Sequence, residues 1–270
     1  MDLKPHSPAW YDRLATLQEG YYYPWRSRLG MWNGEDQYRL LVRQHLHPDA
    51  DVLDAACGHG EFALELAPDC RSVLGYDRTE AYIDLARRAA RERGLSNATF
   101  LCHDSSPDAN GGRVRLPAPD ASFDLLICSK GPFHWMEDAR RVARAGAVLI
   151  MLVPDFTPST PWREWLPERL RLGEGPDPHW ARPAIEERLE IGGLTLHSWW
   201  SYDVPEVFPD PEQMYIWLTW ARTPDEVPSF AEVQPALERV FATYGGEGGV
   251  TVRRRRYVWK AVVPAKRISC

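Results

Sequence analysis

The chain has 270 residues, 44% hydrophobic and 26% charged, enough for one large domain with a real apolar core or one domain with a cap. Its formal net charge of −6 speaks against a surface that grips phosphate all round. Five scattered cysteines form no C-x-x-C pair and imply neither a disulfide framework nor a zinc site, so no metal is expected. The first residues lack the apolar stretch of a signal peptide, and no segment reaches the length of a membrane span. These features predict a cytoplasmic protein.

The first fifty residues are rich in aromatics, with Tyr21, Tyr22, Tyr23 and Trp25 ahead of a helix expected over 35–46. Short apolar runs then alternate with amphipathic helices, the pattern of a parallel sheet with crossover helices. Strands are predicted at 52–55, 72–76, 98–102, 123–128 and 147–153, with helices at 60–66, 80–93 and 136–143. In the second helix Tyr82, Leu85, Ala86 and Ala89 are expected to share the buried face. Residues 154–180 are rich in proline, glycine and tryptophan and suggest an inserted lid. A helix (183–191), a strand (194–202), two helices (212–221 and 230–244) and a last strand (250–263) complete the chain. The expected organisation is a helical cap over 1–48, a core over 49–153, the lid over 154–180, and the remainder of the core over 181–270 with a helical insertion at 210–245.

The run VLDAACGHGEFA (52–63) puts a glycine-rich turn between a strand and a helix. Side chains at Gly58 or Gly60 are expected to fill space a ligand needs, and the helix start offers free N–H groups. Gly58, Gly60 and Ala63 also satisfy the spacing of dinucleotide dehydrogenases. Asp54 decides against them: a carboxylate at that strand end would face a pyrophosphate, whereas a cationic ligand demands it. Asp77, ending the second strand, suits a ribose diol in either ligand class. Asp104, after the third strand, can accept from an adenine amino group. Together they favour S-adenosylmethionine (SAM), whose sulfonium and ammonium are both cationic.

With these residues in order, the chain resembles the class I SAM-dependent methyltransferases, of type 11/25. The resemblance covers about residues 40–155: VLDAACGHG, GYD at 75–77, CHDS at 102–105, RLPAPDASFDLLICS at 115–129 and ARRVARAGAVLIMLVP at 139–154. It implies an α/β fold, a Rossmann-like doubly wound sheet, mostly parallel with a final antiparallel strand, plus helical and aromatic cap insertions. It also implies that Asp54, Ala56, Gly58 and Gly60 line the methionyl part of SAM, and that Asp77 takes the ribose. Arg78, Asp104 and Ser105 would flank the adenine, and Ser129 would offer its carbonyl to the ammonium. Ala56 stands where the family has a glycine, and alanine is small enough to keep binding. Asp54 could instead cap the turn, and Asp104 could serve an Asx-turn.

On the acceptor side, the N-P-P-Y-like tetrad of amino-methylating nucleic-acid enzymes is absent. His134 is the one candidate base, with a water-exposed helix-start histidine as the alternative. Lys130, His179 and Trp180 are candidate substrate contacts. Among the N-terminal aromatics Tyr23 and Trp32 are candidates for a lid, or for packing on the sheet. Arg253 to Arg256 invites RNA, but on a strand only two of the four share a face. The leading expectation is a methyltransferase acting on a small-molecule acceptor. An rRNA or tRNA guanine methyltransferase and a SAM-binding regulatory protein without turnover are the alternatives.

Overall fold

A computed structural model describes residues 7–30, 32–155, 159–171 and 180–264. In chain order the helices are α1 (Pro8–Leu17), α2 (Gly34–His45), α3 (Glu61–Leu66), α4 (Glu80–Glu92), α5 (Met136–Val142), α6 (Ala181–Ile191), α7 (Pro211–Leu218) and α8 (Phe230–Tyr244). The strands are β1 (Arg28–Leu29), β2 (Asp51–Ala55), β3 (Ser72–Asp77), β4 (Ala98–Cys102), β5 (Phe123–Ser129), β6 (Ala143–Pro154), β7 (Leu196–Phe208), β8 (Gly245–Gly246) and β9 (Gly249–Val262). They fall into two compact units.

The first unit takes Gly34–Pro154, His179–Ser201 and Tyr257–Cys270. Its strands run β4-β3-β2-β5-β6, all parallel, with Val52 opposite Val73 on one side and Leu125 on the other. β3 and β4 follow β2 outward in one direction, while β5 returns to its other side. The order therefore switches between β2 and β5, and ligands of such sheets bind beyond the carboxyl ends of the strands at that switch. β9 neighbours β6 and runs against it: Gly146 N–H donates to the Val263 carbonyl, while Asp155 N–H donates to the Arg255 carbonyl. The mostly parallel sheet with an antiparallel final strand is thus as expected.

β5 and β6 carry near-continuous apolar runs, and β2 is buried from Val52 to Ala55, because both faces are covered. Trp135 and Trp259, both fully buried, lie nearly parallel with ring centroids 6.2 Å apart. On α4 the buried face is Tyr82, Ile83, Ala86 and Ala90 rather than the expected set, since Leu85 and Ala89 are only half-buried. At the amino edge of the sheet Asp51 accepts from Arg71, Arg144 and Ser72, and Asp124 accepts from Arg144. The Arg71 guanidinium, chiefly, holds the Asp51 carboxyl well below the usual carboxylate range.

The second unit takes Met1–Asn33, Asp155–Pro178 and Tyr202–Arg256. Its core draws on all three stretches: Trp25, then Trp162, Leu166 and Leu170, then Phe208, Met214, Val233, Leu237 and Val250. The described part of 154–180 contains two short 3-10 turns, Arg163–Trp165 and Glu168–Leu170. β7 runs on through Pro205 to Phe208, past the expected end at 202. Proline is tolerated because only its carbonyl is used, accepting from Gly30 N–H at 2.7 Å. Glu206, 3% exposed, accepts from Arg254 at 2.7 and 2.9 Å, from Ser27 at 2.6 Å and from the Trp25 indole at 3.2 Å. Arg253 and Arg255 both reach Asp203.

Candidate functional site

The turn between β2 and α3 is wound tightly because Ala56, Gly58 and Gly60 all have positive φ, at 55°, 55° and 76°. Glycine adopts that region freely, whereas an L-residue is strained there, so Ala56 carries a cost that a glycine would not. The turn is closed from below by Cys57 N–H donating to the Tyr76 carbonyl and Gly60 N–H donating to the Cys57 carbonyl. It is closed from the side by Asp77, whose two oxygens accept from Gly58 N–H at 3.0 Å and Thr79 N–H at 2.9 Å.

The reason for Gly60 differs from the expected one. A Cβ there would stand 2.7 Å from the Phe100 ring and 2.8 Å from the Ala86 methyl, so the glycine lets the turn press on β4 and α4. A similar constraint joins the loops after β2 and β5. A Cβ on Gly131 would stand 2.6 Å from Cys128 Sγ and 2.9 Å from the Ala56 methyl. Just before it, Lys130 also has positive φ, 63°, with its N–H donating to the Leu152 carbonyl at 2.8 Å. Ser129 is the last residue of β5.

Electrostatically the carboxyl edge is acidic. Asp54 is 3% exposed, and burial, with the neighbouring Asp77, pushes its carboxyl up to about 8. Burial also raises Asp77, although the N–H groups of Thr79 and Gly58 pull the other way. Tyr38 of α2, absent from the sequence-based candidates, is buried with its hydroxyl facing no hydrogen-bond partner among the described residues. Burial and then the charge of Asp54 raise its phenol. The only sequence signal was its place on the buried face of α2 with Leu41 and Val42.

After β4, Asp104 Oδ1 accepts from Ser106 N–H at 2.9 Å, which is the Asx-turn geometry. Its carboxyl sits below the usual range: burial works against ionisation, but the Ser106 hydrogen bonds prevail. Ser105 is 4% exposed, and its hydroxyl lies 3.2 Å from Tyr76 Oη and 3.0 Å from His134 Nε2. His134 is therefore not a water-exposed helix-start residue; burial lowers its imidazole below the ordinary value. Phe133 stacks on Trp180 at 5.7 Å. The Arg78 carbonyl accepts from Cys102 Sγ at 3.5 Å.

Asp54, Ala56, Gly58, Gly60, Asp77, Arg78, Asp104, Ser105, Ser129, Lys130, His134 and Trp180 all belong to the first unit. Tyr23 and Trp32 belong to the second, where Tyr23 stacks on Trp25 at 4.7 Å beneath Arg254, and Trp32 is 52% exposed. His179 lies outside the described residues. Among those residues no cluster of three or more His, Cys, Asp or Glu could hold a metal, and no helix is long and apolar enough to cross a membrane.

A parallel sheet with a glycine turn and acidic strand ends at its switch point defines a Rossmann-like fold. The family model of a methyltransferase domain matches residues 52–155, so this stretch is similar to the methyltransferase domain of the class I SAM-dependent enzymes. A 2-heptyl-1-hydroxyquinolin-4(1H)-one methyltransferase of Mycobacteroides abscessus is 46% identical over 126 residues, 43% of this chain and 51% of that protein. A demethylmenaquinone methyltransferase of Deinococcus radiodurans is 36% identical over 106 residues, 38% of this chain and 40% of that protein. The chain thus spans about half the length, or less, of these curated relatives. A solved structure of a functionally unknown protein from Deinococcus radiodurans aligns with TM-score 0.62 and 22% identity over 93% of this chain and 97% of that one, a likeness of fold.

Proposed function

We propose that this protein transfers a methyl group from SAM to a small-molecule acceptor. The observation that carries the reading is the pairing of a buried carboxyl, Asp54, and a half-buried one, Asp77, with a left-handed glycine turn at the sheet's switch point. A cation compensates a buried carboxylate, so this acidic edge fits the sulfonium and ammonium of SAM, as it would not fit a pyrophosphate.

In this reading Asp54, with the backbone of Ala56, Gly58 and Gly60, receives the methionyl part, and the Ser129 carbonyl accepts from its ammonium. The Asp77 oxygens already accept the Gly58 and Thr79 N–H groups and the Thr79 side chain, and their remaining acceptor capacity is offered to the ribose hydroxyls. Arg78 and Asp104 flank the adenine. Ser105 contributes through its backbone, because its hydroxyl is already bonded to Tyr76 and His134. Bound SAM supplies an activated methyl on a sulfonium, so the chain's own task is to hold the acceptor in line with it and keep water out. Two relatives named for a quinone precursor and a hydroxyquinolone support a small-molecule acceptor. The arginine run lends RNA no support, since Arg253, Arg254 and Arg255 are spent on Asp203 and Glu206.

The test is transfer of labelled methyl from SAM into a cell extract separated into small-molecule, RNA and protein fractions. Label in the small-molecule fraction, lost with Asp77→Ala, is expected; label in RNA or protein would overturn the reading.

A further inference from the structure

Tyr76, Ser105 and His134 come from β3, from the loop after β4 and from the loop after β5, and they meet in a row. Tyr76 is 3% exposed, and among the described residues its hydroxyl has one hydrogen-bond partner, Ser105 Oγ. A buried phenol is stabilised by donating its hydrogen, and among the described residues Ser105 is what can accept it. Ser105 in turn is 4% exposed, and its remaining partner is His134 Nε2. With Tyr76 donating to it, Ser105 satisfies its own hydrogen only by donating onward, to an unprotonated Nε2. Were Nε2 to carry the proton, Ser105 would receive two hydrogens and its own would be buried without an acceptor.

The direction of the row thus settles the tautomer. Neutral His134 carries its proton on Nδ1, the nitrogen left outside the row.

We propose that His134 acts as a hydrogen-bond donor through Nδ1–H, not as a general base, with Tyr76 and Ser105 as the residues that position it. Its ligand is an oxygen acceptor such as a carbonyl or oxyanion on the methyl acceptor. The last clause rests on the methyltransferase reading; the tautomer does not. A chain whose histidine donates needs an acceptor that has already lost its proton, such as an acidic N-hydroxyl or phenol. The anion's oxygen pair then forms the new O–C bond, the C–S bond breaks with its pair going to sulfur, and no proton is left to place. Burial favours the neutral imidazole, with Arg188 acting in the same direction and Asp104 and Glu137 against it.

The experiment is nitrogen-15 NMR of the histidine side chains of the free protein at neutral pH, with His134 assigned by its disappearance in His134→Asn. The expected result is a protonated Nδ1 and an unprotonated Nε2 in the wild type. Ser105→Ala should move the proton toward Nε2, and Tyr76→Phe, which leaves Ser105 free to turn, should give a mixture. A wild type protonated on Nε2 overturns the proposal, and so does a tautomer that neither substitution moves. Since no cofactor or acceptor is added, this result stands apart from whether methyl transfer is found.

For the ligand, the wild type is offered SAM with an N-hydroxyquinolone or with an aliphatic alcohol. Methylation of the first, better retained by His134→Asn (whose amide N–H stands near Nδ1) than by His134→Gln, is expected. Methylation of the alcohol that is lost in both variants would restore the base and overturn the donor.

Discussion

Asp54 sets how this site answers to pH. Its ordinary value is 3.8, and burial beside Asp77 pushes it to about 8. Between those values the folded protein holds a proton that the unfolded chain has released. This carboxyl's stabilising share is therefore full below pH about 4 and lost as pH rises through about 8. Asp54→Asn should match the wild type in urea unfolding at pH about 4 and exceed it at pH about 9, by on the order of a few kcal/mol. A cation at the site reverses the preference, so SAM binding at pH about 7 should release a proton, read as a dependence of binding enthalpy on the buffer's ionisation enthalpy. Ala56 and Gly131 give a second prediction. Ala56→Gly removes left-handed strain and should stabilise by about 1 kcal/mol. Gly131→Ala should cost roughly 1–3 kcal/mol through its contacts with Cys128 and Ala56, and less in the Ala56→Gly background.

Among elements, those with a local cause could be read directly. The helix expected over 230–244 matches α8, whose start is written in a capping box: Ser229 N–H donates to Glu232, whose carboxylate also accepts from the serine hydroxyl. Ser229→Ala should cost about 1 kcal/mol in unfolding free energy. The glycine turn was legible for the same reason, being a short-range demand on backbone angles. α1 falls within the helical cap expected over 1–48, but its bounds were not placed although their signal is local, with Ser7 as the cap and Pro8 at the first helical position. The length of β7 was not legible, because Pro205 reads as a stop until Gly30 is known to face its carbonyl. The arginine run in β9 likewise became readable only with its partners. Removing Arg254 leaves Glu206 buried and charged, so Arg254→Met should destabilise the second unit by roughly 3–5 kcal/mol, measured by denaturant unfolding.

At the scale of the molecule, the first unit is mostly one continuous stretch, and the order of its strands and motifs reveals the fold and points to the candidate site. The second unit is not, since Trp25, Trp162, Leu170, Phe208 and Val250 share one core across three separated stretches. No periodicity links residues so far apart, so the sequence shows them as separate insertions. The row from Tyr76 to His134 was hidden in the same way: each member lies beside a different strand end, and only the sheet brings them together. The most direct test of the whole reading is calorimetric titration of the purified protein with SAM and, separately, with NAD. One SAM should bind per chain, with Asp77→Ala abolishing it and NAD giving no heat. Binding of NAD in place of SAM, or no binding of SAM to a folded wild type, would contradict it.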